Sequence, residues 1–91
     1  MRIRWSPEAA SDLEGIWLRI HSDNPAAAGK VVQTLYHAII ELKDFPNRGR
    51  KGRAEGSREL IVPSLPYVVV YRLREDIVEI SRIWHGAQNR Q

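Results

Sequence analysis

Cysteine is absent from the 91 residues. That excludes disulfide staples, thiolate metal ligands and a thiol nucleophile. Long apolar runs are absent as well. The longest lies near Val68–Tyr71, far short of the roughly 20 residues that cross a bilayer as a helix. Met1-Arg2-Ile3-Arg4-Trp5 contains no apolar signal core. These absences predict a soluble cytoplasmic protein with no membrane partner. His21, His37 and His85 lack the spacing of metal ligands, and no HExxH occurs. Gly49, Gly52 and Gly56 fall between a helix and a strand, the wrong context for a phosphate-binding loop. Ser57, Ser64 and Ser81 have no obvious base partner. No metal and no cofactor are expected.

What is present is short and basic. The length predicts a single domain over residues 1–91. Net charge is +3 and the pI about 9.7. Such a balance draws a small domain to nucleic acid or to acidic protein surfaces. The excess is concentrated. Arg48, Arg50, Lys51, Arg53 and Arg58 face the single acid Glu55 between Asn47 and Arg58. The competing reading is a solvated basic loop.

Arg2-Ile3-Arg4-Trp5 alternates polar and apolar residues, a strand pattern. Ser6-Pro7-Glu8 then reads as a helix start, with a capping oxygen, a proline at the first position and an acid at the positive dipole end. Ala9, Leu13, Ile16, Trp17 and Ile20 form one apolar face, so Trp17 is expected in the core. Asn24-Pro25 repeats the start signal. Ala28, Val31, Val32, Leu35, Ile39 and Leu42 make the second face, which Phe45-Pro46-Asn47 ends. The turn between the helices is short, which predicts an antiparallel hairpin.

A glycine-rich basic loop follows, and then three strand candidates: Glu59–Val62, Tyr67–Leu73 and Ile77–Trp84. Their short connections predict an antiparallel meander. A meander alone cannot bury its apolar face, so the hairpin should cover it. The fold class is therefore α+β. It has two layers, with an N-terminal strand and helical hairpin packed on an antiparallel sheet, in the order β-α-α-β-β-β. The other sheet face is left for solvent or a partner.

Strand alternation puts Val78, Ile80, Arg82 and Trp84 on one face of the last strand. Arg58, Arg72 and Arg82 are then expected near one another beside the open sheet, with His85 next in the chain. Guanidinium groups bind phosphate bidentately, and histidine titrates near neutrality. Arg58, Arg82 and His85 are the candidate catalytic set of a metal-independent ribonuclease. Arg48, Arg50, Lys51, Arg53 and Arg72 are candidates for binding a target or nucleic acid. The competing reading pairs Arg72 and Arg82 with Glu59, Glu75, Asp76 or Glu79.

Six stretches follow one another in a characteristic order: Trp5-Ser6-Pro7-Glu8-Ala9-Ala10, Asn24-Pro25-Ala26-Ala27-Ala28, Phe45-Pro46-Asn47-Arg48-Gly49-Arg50, Gly56-Ser57-Arg58-Glu59-Leu60, Pro66–Arg72 and Val78–Gly86. In these, and so along nearly its whole length, the sequence resembles RelE/ParE toxins of type II toxin–antitoxin systems. The resemblance implies a toxin that arrests growth, stabilises plasmids and is neutralised by a ParD-like or RelB-like antitoxin in a hetero-oligomer. ParE-type members inhibit DNA gyrase and need no catalytic constellation. RelE-type members cut mRNA on the ribosome. In the RelE type an arginine stands where this chain has Val68, and basic or aromatic residues stand in the tail that here reads Gly86-Ala87-Gln88. The reading therefore leans to a ParE-like gyrase inhibitor rather than an enzyme, with the ribonuclease as the alternative.

Overall fold

The computed structural model describes residues 1–86; Ala87 and Gln88, on which part of the tail argument rests, lie outside the described residues. Strand β1 (Arg2–Trp5) leads into helix α1 (Pro7–His21). The Ser6 hydroxyl accepts from the Ala9 N–H at 2.9 Å and caps the helix. Helix α2 (Pro25–Ile40) is capped in the same way by Asn24, which accepts from the Ala27 N–H at 3.1 Å. A short 3-10 turn, Glu41–Lys43, extends α2 and buries Leu42. Strands β2 (Arg50–Lys51), β3 (Ser57–Ile61), β4 (Tyr67–Arg74) and β5 (Ile77–His85) follow.

The sheet order is β1-β5-β4-β3-β2. The expected meander of β3, β4 and β5 is antiparallel throughout. Two details differ from the sequence reading. β1 runs parallel to β5, so the sheet is mixed. The helical hairpin carries the chain from β1 at one edge of the sheet to β2 at the other, and the antiparallel pairings of β2 to β5 bring the last strand back beside β1 in the same direction. The basic loop also contributes the two-residue strand β2, where Arg50 pairs with Glu59 and Lys51 with Arg58. Glycines on either side concealed it from pattern reading.

The helices cover one face of the sheet. Leu35, Ile39 and Leu42 meet Val69, Tyr71, Val78 and Ile80, all fully buried. Trp17 is not a core residue as expected. It is 37% exposed and stacks on His21 with ring centroids 4.3 Å apart. Ile16, one position earlier, takes the buried place.

A β-bulge decides which side chains share a face. Tyr71 pairs with Ile80, but Val70 pairs with Arg82, so Ser81 has no partner on β4. Residues paired across strands share a face. Ile83 therefore joins Val78 and Ile80 on the core face, opposite Val69. Arg82 and Trp84 are turned to the other face, opposite Val70 and Val68. Strict alternation had grouped them with Val78 and Ile80, and the extra residue reverses that grouping.

Candidate functional site

β1 covers only part of the β5 edge. Its last partner is the Trp5–Ile80 pair. Beyond that point α1 supplies side chains in place of a strand. The Ser6 hydroxyl donates to the Ser81 carbonyl at 2.9 Å. The Asp12 carboxylate accepts from the Ile83 N–H at 2.9 Å. The same carboxylate accepts from Arg82 Nε at 2.8 Å and Nη2 at 3.1 Å, a bidentate ion pair. The hydrogen bond to Asp12 pushes the Arg82 pKa above its ordinary value, against a smaller opposing effect of burial. The guanidinium also packs over Trp84, 5.3 Å from the ring centroid, within reach of a cation–π contact. Arg82 is thus held on two sides.

Beside this pair a cavity of about 570 Å³ wraps the free edge of β5. Its polar and aromatic lining includes Arg19, Arg53, Tyr67, Arg82, Trp84 and His85, with Asp12 as the carboxylate. Arg19 Nη2 donates to the Tyr67 hydroxyl at 3.1 Å. The Tyr67 and His85 rings meet edge to face at 5.7 Å. Asp12, Gly15, Ile16 and Arg19 reach one side of α1 through their three- and four-residue spacing.

The expected ribonuclease set is divided. Arg82 and His85 line the cavity, and Arg58 does not. Arg58 pairs with Tyr71 on the core face, whereas Arg82 and Arg72 lie on the opposite face. Arg58 Nη1 donates to the carbonyls of Gly49 at 2.8 Å and Asn47 at 3.4 Å. Arg72 Nη1 donates to the Glu55 carbonyl at 2.7 Å. The three arginines each hold a different part of the chain.

The Arg58 corner is closed around Tyr71. The Tyr71 hydroxyl donates to the Pro46 carbonyl at 2.7 Å and accepts from the Gly49 N–H at 2.8 Å. Burial pushes the phenol pKa up, and the Gly49 N–H and the Arg58 charge partly oppose this. A Cβ on Gly49 would stand 2.7 Å from the Tyr71 hydroxyl and 3.0 Å from the Glu59 carbonyl, so only glycine fits.

The basic loop is less free than its composition suggests. Arg48 pairs with Glu41 and stacks on Phe45. Arg50 pairs at 3.1 Å with Glu59, itself 6% exposed. Lys51 and Arg53 have no ion pair or side-chain hydrogen bond among the described residues. No cluster of potential metal ligands occurs among the described residues. None of their helices is long and apolar enough to cross a membrane.

Sequence reasoning missed Asp12, Arg19 and Tyr67 as members of the cavity. The spacing of Asp12 and Arg19 along α1 was visible. The bulge that brings Arg82 to Asp12 was not.

Comparison with known proteins agrees with this architecture. The family model described as ParE toxin of type II toxin-antitoxin system, parDE, matches residues 3–90. Toxin Y4kP of Sinorhizobium fredii is 39% identical over 87 residues, covering 96% of this chain and 90% of the relative. Toxin RelE2 of Caulobacter vibrioides is 33% identical over 87 residues, covering 96% and 97%. A solved chain of the chromosomal ParDE TA system from P. aeruginosa superposes with a TM-score of 0.86 at 26% identity, covering 93% of this chain and 95% of that one. A mutant of YafQ from E. coli shares the fold, with a TM-score of 0.68 at 17% identity and full coverage of both chains (100% each). The chain belongs to the ParE toxin family of type II toxin–antitoxin systems.

Proposed function

We propose that this toxin acts as a ParE-like inhibitor of DNA gyrase, in the cytoplasm, as one folded domain, and is neutralised by a ParD-like antitoxin. The observation that carries the reading is the division of Arg58 from Arg82. A general acid–base ribonuclease needs its groups within reach of one scissile phosphate. Here Arg58 is bound to loop carbonyls on one face, and Arg82 is neutralised by Asp12 on the other. Inhibition by binding requires no such set. The likeness to a chain of a ParDE system supports the same reading.

The antitoxin partner follows from family membership. Leu18 and Tyr36 on the helices and Ile61 on β3 are 56%, 49% and 51% exposed. These apolar side chains give an antitoxin segment surface to cover. An acidic segment would also be steered by Lys51 and Arg53.

The experiment is supercoiling of relaxed plasmid by purified gyrase and ATP. Increasing toxin is expected to abolish supercoiling, and added antitoxin to restore it. Undiminished supercoiling at large molar excess of folded toxin would overturn the reading.

One observation favours a RelE-like ribonuclease: Arg82 and His85 share a cavity with Arg19 and Tyr67. That reading predicts ribosome-dependent cleavage of a reporter message, lost in Arg82→Ala and His85→Ala. Cleavage unchanged in both variants would remove these residues from the mechanism.

A further inference from the structure

β1 forms one edge of the sheet, and among the described residues no strand pairs with its outer side. The N–H groups of Arg2 and Ser6 donate to the Asp76 and Ile80 carbonyls on the β5 side, at 2.8 and 2.9 Å. Main-chain direction alternates along a strand, so Ile3 and Trp5 turn their N–H and C=O groups outward. Side chains alternate as well. Ile3 and Trp5 pack against the core. Arg2 and Arg4 are exposed on the open sheet face, in register with Ile77 and Glu79. Arg4 pairs with Glu79 at 3.1 Å, but Glu79 is shared with Arg74 at 3.6 Å. Arg2 has no ion pair or side-chain hydrogen bond among the described residues, and the turn acids Glu75 and Asp76 pair with neither arginine. A shallow hollow of about 200 Å³ at this edge is lined by Arg2, Ile3, Arg4 and Ile77.

We propose that the outer edge of β1 accepts an extended protein segment as an added strand, one that alternates acidic and apolar residues. In strand addition the main chain supplies affinity and the alternate side chains supply specificity. Only a polypeptide can pair with the amides and carbonyls of Ile3 and Trp5. Its residues on the open face would stand beside Arg2 and Arg4, which favours carboxylates. Its residues on the helix side would stand beside Ile3 and Trp5, which favours apolar groups. The same arginines turn away a second copy of this chain, because β1 against β1 would set arginine beside arginine. This proposal stands apart from the gyrase reading, because it is tested on the purified chain without gyrase.

The test is titration and amide exchange by NMR, with a short synthetic peptide alternating valine and glutamate as the probe. At peptide about tenfold above its Kd, exchange at the Ile3 and Trp5 amides is expected to slow roughly tenfold. Exchange at Arg2 and Ser6, already bonded to β5, should change little. Methylating every second peptide nitrogen blocks one edge of the peptide. Of the two such forms, methylated at the valines or at the glutamates, one should bind roughly tenfold more weakly than the other. Arg2→Gln/Arg4→Gln should weaken binding of the unmodified peptide roughly fivefold. The control Lys30→Gln/Lys43→Gln removes the same charge from exposed positions in the helical layer and should change affinity less than about twofold. Circular dichroism verifies that both variants are folded. No saturable binding at millimolar peptide, protection confined to other elements, equal affinity of the two methylated forms, or equal losses in the two variants would overturn the proposal.

Discussion

The corner around Tyr71 and the seam between α1 and β5 are built from the same kinds of side chain, an arginine and a tyrosine beside a loop or strand edge. In the corner every polar group turns inward. Arg58 and Tyr71 satisfy the carbonyls and N–H of residues 46–49. In the seam, Asp12 satisfies Arg82 and Ile83, but Arg19 and Arg53 face an open cavity with no acid partner among the described residues. The difference teaches that residue type does not assign a role. An arginine that caps carbonyls holds the fold, whereas Arg19 and Arg53 leave their charge without an acid partner among the described residues.

The largest effect should come from emptying the corner. Tyr71 is fully buried, and Tyr71→Ala is expected to cost about 3–5 kcal/mol in chemical denaturation, as for other buried aromatics. Wild-type stability in Tyr71→Ala would mean that the corner is not part of the core.

Tyr71→Phe keeps the ring and leaves the Gly49 N–H and Pro46 carbonyl without a partner, at a cost of about 1–3 kcal/mol. It also sharpens the comparison through pH. The folded phenol has a raised pKa, so the unfolded state loses this proton first as pH rises. The contribution is complete below the ordinary tyrosine pKa of 10.0 and is lost as pH climbs through the raised folded value. Wild type should therefore lose stability between pH 10.0 and that raised value more steeply than Tyr71→Phe. Parallel alkaline unfolding curves would contradict this.

In the seam, Asp12→Ala should cost about 1–2 kcal/mol, mostly from the stranded Ile83 N–H. The ion pair adds little, since the Arg82 side chain is 42% exposed and screened by solvent. Asp12→Asn can keep an acceptor for Ile83 and should lose less. Equal losses in both, by thermal denaturation, would shift the weight to the charge.

The smallest effect lies outside both regions. Glu75, in the β4–β5 turn, has φ of +54°. Asparagine tolerates that conformation better, so Glu75→Asn should gain about 0.5 kcal/mol. No gain would mean that the surrounding turn relieves the strain.

The fold was legible where the signals are local. Ser6-Pro7 and Asn24-Pro25 capped their helices as read, and Tyr67–Leu73 formed the central strand. Long-range geometry was not legible. Nothing local specifies that β1 lies parallel to β5, because the crossover is set by how the hairpin packs. Strict alternation failed at Ser81, since a bulge depends on the register of two strands. Trp17 failed because Ile16 fills the helix face nearest the sheet. The candidate site was half legible. His85 follows Arg82 closely in the chain, and both line one cavity with Arg53; the cavity itself was not visible in the sequence. Arg58 was misgrouped, because the face it occupies becomes known only once β3 is paired with β4.

The central claim is that the toxin acts by binding gyrase rather than by cutting RNA. It is tested most directly by inducing the chain without antitoxin in bacteria and following plasmid topoisomers and message ends in the same culture. The account predicts growth arrest with progressively relaxed plasmid and intact messages. Normal superhelicity together with newly cut messages would contradict it.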